Sequence, residues 1–139
     1  MEKDKSTMYD ELNKGCSMGI LAIDAILDKA HEGDFKSLLL KLSKEYHELS
    51  KEIHEYADED PKDLSGISKT FSWYGIQMRT ITDDSDSKLS ELIMQGLNMG
   101  IIEGRKFLNE GIEDDDLRKL LSKYINIQEK YVEKFKEYL

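Results

Sequence analysis

Cysteine, proline and histidine are scarce in this 139-residue chain, with one, one and three of each. A single thiol, Cys16, excludes an internal disulfide and any cysteine-based zinc site. Positive charge is also short. Lys+Arg number 20 against Asp+Glu 29, giving a net charge of -9, and no basic run occurs. That balance argues against nucleic acid and anionic membrane surfaces as partners. Long apolar runs are missing too. The longest uncharged stretch, 92–102, falls well below the roughly 20 residues of a membrane span. The opening residues MEKDKSTMYDE have no apolar centre, so they do not read as a signal peptide. These absences make a soluble, acidic, cytoplasmic protein the expectation. The hydrophobic share of 39% still suffices for a packed core. The length suits one domain over 1–139, able to bury roughly two-thirds of its unfolded surface.

Apolar residues recur at three- and four-residue steps, the period of a helix with one buried face. One segment carries Tyr9, Leu12, Cys16, Gly19, Ile23, Ile26 and Ala30, and a second Phe35, Leu39, Leu42, Tyr46, Leu49, Ile53 and Tyr56. A third carries Leu64, Ile67, Phe71, Tyr74, Met78 and Ile81. The fourth reads Leu89, Ile93, Gly96, Gly100, Glu103 and Phe107, and the fifth Leu117, Leu120, Tyr124, Ile127, Tyr131, Phe135 and Tyr138. No segment alternates with period two, so the chain is expected to be all-α. Gly33 is placed to end the first helix, with Asp34 capping the second. Asp60-Pro61 reads as a cap followed by proline at the first helical position. The acidic runs 83–86 and 113–116 precede the fourth and fifth helices, where the helix dipole favours negative charge. They lack the spaced ligands and central glycine of a calcium loop.

The chain also resembles itself. Residues 15–21, GCSMGIL, return as GLNMGII at 96–102, an offset of 81, and Leu42-Ser43-Lys44 returns as Leu121-Ser122-Lys123. Two related helical hairpins, 6–59 and 86–138, are therefore expected, with a shorter helix at 61–82 between them. Helix pairs joined by a crossover that returns along the bundle form the ferritin-like topology.

In this layout, with the intervening helix carrying Trp73 and the glycines of the fourth helix, the chain resembles a family of small uncharacterised bacterial proteins. That family is a domain of unknown function in the ferritin-like superfamily, built as a four-helix bundle. The resemblance implies that fold, and it implies comparison with relatives that hold two metal ions through inward glutamates and Glu-x-x-His pairs. The fifth segment has no histidine. His47 is preceded three residues earlier by Lys44, and His54 by Lys51. Asp28-x-x-His31 comes nearest, but it falls in the last turn of its helix. Glu103 falls on the inward stripe, whereas its repeat partner is Ala22. A conventional di-iron centre is therefore not expected. Glu45, Glu48 and Glu103 remain candidate ligands for a degenerate site holding iron or another divalent metal.

The remaining features read more plainly. His47 and His54 stand about 10 Å apart along one helix edge, too far to share an ion, with Lys51 between them. A solvated edge is expected. His47 is followed by ELSKE, which lacks the lysine and small-residue placement of a phosphotransfer histidine. Cys16 lies on the core stripe and reads as an inert packing group. Each interior helix glycine costs about 1 kcal/mol relative to alanine, so Gly15/Gly19 and Gly96/Gly100/Gly104 need a compensating reason. The simplest is that the two small-residue grooves pack against each other; the alternative is an internal cavity for a small ligand. Tyr9, Tyr46, Tyr74, Tyr124 and Tyr131 sit on the seam, where buried hydroxyls need partners such as Glu45, Glu48 or Glu103. Such a polar layer fits either a metal-site remnant or a network fixing helix register. Phe71, Trp73 and Tyr74 make the third helix aromatic on all sides and suggest a homodimer contact. The function expected is a non-enzymatic bundle acting through protein–protein contacts, with no cofactor. The alternative is a metal-binding or redox member of the same superfamily.

Overall fold

The computed structural model describes residues 4–57, 61 and 76–139. Four long helices account for most of them: α1 (Lys5–Leu27), α2 (Asp34–Tyr56), α3 (Asp86–Asn109) and α4 (Asp115–Phe135). A single 3-10 turn, Lys136–Tyr138, follows α4, and residues 76–80 are also helical. No strand occurs among the described residues, as the periodicity predicts. None of their helices is long and apolar enough to cross a membrane.

The stripes become one core. Tyr9, Cys16, Ile23 and Ile26 from α1 meet Phe35, Leu39, Leu42, Tyr46 and Ile53 from α2, and α3 and α4 contribute Leu89, Leu97, Leu117, Tyr131 and Phe135. At one end, the Phe35 ring stands edge-on to Phe135 at 5.7 Å and to Tyr138 at 5.4 Å. There the Ser90 hydroxyl donates to the Phe135 carbonyl at 3.1 Å, satisfying a helix-end acceptor.

Ion pairs fix the helix directions. Lys5 meets Asp114 at 3.1 Å, so α1 and α4 begin at the same end. Between α2 and α4, Glu45 pairs with Lys130 and Glu52 with Lys123, which makes these two antiparallel. His31, just beyond α1, meets Asp84, just before α3, at 3.3 Å at the opposite end. Consequently α1 and α4 run one way, and α2 and α3 the other. The chain leaves α2 near Lys5 and enters α3 near His31, so the 57–85 connection joins opposite ends of the bundle.

The caps divide into those that follow the sequence reading and those that do not. Ser85 caps α3, its hydroxyl accepting from the Lys88 N–H, and Asp114 caps α4 by accepting from the Leu117 N–H at 2.8 Å. α1, however, ends at Leu27 rather than at Gly33, and a turn follows it. Gly33 itself is the cap of α2, with φ 145°, and Asp34 is the first helical residue rather than the cap. The backbone at that φ favours glycine, which explains why no side chain caps α2. Pro61 is buried and is not itself helical, and its neighbours on both sides lie outside the described residues. Most of the expected 61–82 helix, with Phe71, Trp73 and Tyr74, lies outside the described residues.

Candidate functional site

The glycines are the starting point, because their neighbours are not the ones expected. The two runs do not pack against each other. Each instead receives a side chain from α2 or α4. A Cβ on Gly15 would lie 2.6 Å from the Tyr124 hydroxyl, and one on Gly19 would lie 2.7 Å from the Tyr46 ring. A Cβ on Gly100 would lie 2.6 Å from Cδ of Gln128, and one on Gly104 would lie 2.8 Å from Ile125. Separations this short forbid any side chain without displacement. The close approach is therefore between helix backbone and a phenol or amide, not between two backbones.

The consequence is a gap. Of the four adjacent helix pairs, α1 and α3 are in least contact. Between them opens a cavity of about 530 Å³. Its walls are small or apolar residues, among them Gly15, Ala22, Ile93, Gly96 and Leu97. Tyr46, Tyr124 and Gln128 also line it. The exposed charged residues Glu103, Lys106 and Glu110 stand at its edge. The volume lies within the range of small-molecule pockets.

Its polar groups are few and specific. The Tyr46 hydroxyl donates to Oε1 of Gln128 at 3.1 Å. Gln128 is only 2% exposed, and its Nε2, closed off from solvent, has the Tyr124 phenol beside it but no close hydrogen bond. A buried amide N–H left without an acceptor costs about 1–3 kcal/mol. Burial pushes the Tyr124 phenol above its ordinary range, with nearby Cys16 adding to the shift. Burial likewise pushes the Cys16 thiol up to about 12, which agrees with its reading as an inert core group. A second buried polar residue, Asn13, accepts from the Ser50 hydroxyl at 3.0 Å and ties α1 to α2.

The sequence-derived candidates do not converge. Glu45 and Glu48 line a separate groove of about 300 Å³ on the outer α2–α4 face, together with Glu52, Lys123 and Lys130. Burial works to raise the Glu45 carboxyl, but the Lys130 ammonium and the Tyr131 hydroxyl outweigh it and hold it below the ordinary carboxylate range. Glu48 faces Lys44 at 4.0 Å on the surface. Glu103 is not inward at all: its side chain is 73% exposed and faces Lys106 at 3.9 Å. Among the described residues, no group of three or more His, Cys, Asp or Glu is placed to hold a metal ion. His47 and His54 lie on the exposed edge expected of them, each Nδ1 donating at 2.8 Å to the carbonyl of Ser43 or Ser50.

The expected tyrosine layer forms in part. Tyr9, Tyr46, Tyr124 and Tyr131 are buried, and the Tyr131 phenol is pushed upward by burial and by its hydrogen-bonded neighbour Glu45. Tyr74 lies outside the described residues. Neither Glu48 nor Glu103 is placed to act as the expected acceptor for a buried tyrosine. Gln128 accepts from Tyr46 instead, and an apolar stripe does not reveal it. The available signal is its position, four residues after Tyr124 and three before Tyr131. Comparison of the chain with protein-family models, curated proteins and solved structures finds no match.

Proposed function

We propose that this chain is a non-enzymatic binding protein whose α1–α3 cavity reversibly takes up a small, largely apolar molecule. The observation that carries the reading is the cavity of about 530 Å³ between α1 and α3. Its lining is mostly small or apolar, with the Tyr46, Tyr124 and Gln128 side chains among the few polar groups at its wall. The interior glycines point the same way. Each costs about 1 kcal/mol of helix stability, and here they make room for the tyrosine and glutamine side chains that line the cavity. The buried groups beside it, a raised phenol and a raised thiol, have no proton to exchange near neutral pH, which favours binding over chemistry. The fold reading within this proposal is a ferritin-like bundle. Its support is the order of two helix pairs, the helix directions and a connection that joins opposite ends.

Ala22 provides the test, because it is buried in α1 and lines the cavity. Ala22→Leu places new carbon into vacant space. It should stabilise the fold by about 0.5–2 kcal/mol while abolishing saturable binding of naphthalene, followed by the ligand's own fluorescence. A variant that is stabilised yet still binds would contradict the reading, and so would a wild-type protein with no saturable binding.

A further inference from the structure

We propose that the natural occupant is a straight-chain amphiphile with an uncharged polar head, lying along the cavity with its tail toward Ala22 and its head at the end where α1 begins. This deepens the binding reading above and rests on it. Shape is the first argument. Every turn of α1 from Glu11 to Ala22, and every turn of α3 from Ile93 to Glu110, contributes to the cavity walls. At about 1.5 Å of rise per residue, these walls run about 17 Å and about 26 Å. Spread over such a length, 530 Å³ leaves a mean cross-section of roughly 20–30 Å². A trough of these proportions takes one extended chain and not two side by side.

Charge is spread along that trough unevenly. α1 and α3 are antiparallel, so the first lining residues of α1 lie beside the last of α3. Glu11 and Lys14 therefore share one end with Glu103, Lys106 and Glu110. Among the described residues, no charged side chain lines the other half, from Met18 to Ala22 on α1 and from Ile93 to Gly100 on α3. That half includes Met18 and Met99, flexible thioethers that adapt to an apolar guest, and Met99 is half exposed until a tail covers it. An alkyl tail gains by leaving water there, whereas a polar head keeps its water at the exposed, charged end. The charges at that end are of both signs, and none of the five is buried. A charged head would meet a like charge beside the opposite one, and an uncharged head avoids that conflict.

The experiment follows binding of 1-hexanol, 1-octanol and 1-decanol by calorimetry, with naphthalene as the control for the cavity itself. Affinity should rise about three- to fourfold per methylene through 1-decanol, the gain expected while each added carbon still finds apolar wall. Affinity that levels off at 1-hexanol overturns the extended-chain inference, while naphthalene binding keeps the cavity as a site. Decanoate and decyltrimethylammonium carry comparable chains with opposite charges, and neither should bind more tightly than 1-decanol. Tighter binding of either overturns the uncharged head. Orientation is read from nuclear Overhauser contacts. The terminal methyl of 1-decanol should reach Ala22 and Ile93, and its C1 protons Leu12 and Phe107. The reverse pattern overturns the placement of head and tail. Saturable binding of neither naphthalene nor any alkanol overturns both the inference and the reading beneath it.

Discussion

The α2–α4 side and the α1–α3 side of this bundle are made from helices of similar length, yet they close in different ways. Between α2 and α4, Tyr46 and Tyr124 stack at a tilt with ring centres 6.4 Å apart, and Glu45–Lys130 and Glu52–Lys123 bridge the surface. Between α1 and α3, five lining glycines present no side chains to fill the space. The rings that α2 and α4 send across stop against those glycines, and the gap beyond them stays open. A glycine stripe alone therefore does not draw two helices together. What fills the groove decides the outcome, and here a phenol, a second phenol and an amide arrive from the neighbouring helices first.

Substitutions on the two sides should separate accordingly. The largest loss is expected at the sealed end, where Phe135 is fully buried against Phe35 and Tyr131. Phe135→Ala should cost about 3–5 kcal/mol in denaturant unfolding. A loss below about 1 kcal/mol would mean that this end is as loosely packed as the open side. Gly100→Leu should cost about 1–3 kcal/mol, because its side chain must displace Gln128. Adding Gln128→Ala should recover part of that loss, which purely additive effects would not do. That recovery marks the clash as local and contrasts with the stabilisation expected of Ala22→Leu in the vacant part of the same side. The smallest effect belongs to the surface. Glu52→Gln, which breaks the pair with Lys123, should change stability by no more than about 1 kcal/mol, and less in high salt.

Much of the fold is legible in the residues alone. The three-and-four spacing from Tyr9 to Ile26 and from Phe35 to Ile53 returns as buried faces, because burial of a helical stripe is a local property of the pattern. Ser85 and Asp114 are legible for the same reason, since a cap bonds to an N–H three residues away. The end of α1 is not. The turn after Leu27 and the φ of Gly33 depend on how α2 docks, which a glycine read in isolation does not reveal. The glycine spacing reveals that a groove exists, but its occupants come from residues many turns away in sequence. Gln128 and Asn13 are missed because a search for apolar stripes passes over polar residues on the same face. Glu103 is misplaced by the opposite error, a three-residue step that carries it just past the buried arc.

The most direct test of the open side is a titration of isotope-labelled protein with naphthalene, followed by amide nitrogen–proton NMR. The side-chain amide of Gln128 and the backbone amides of Gly15 and Gly100 should shift together and saturate, while Asn126 and Ile127 on the α2–α4 groove stay in place. Shifts confined to Asn126, Ile127 and Lys130, or none that saturate, would contradict the assignment of the α1–α3 cavity as the binding site.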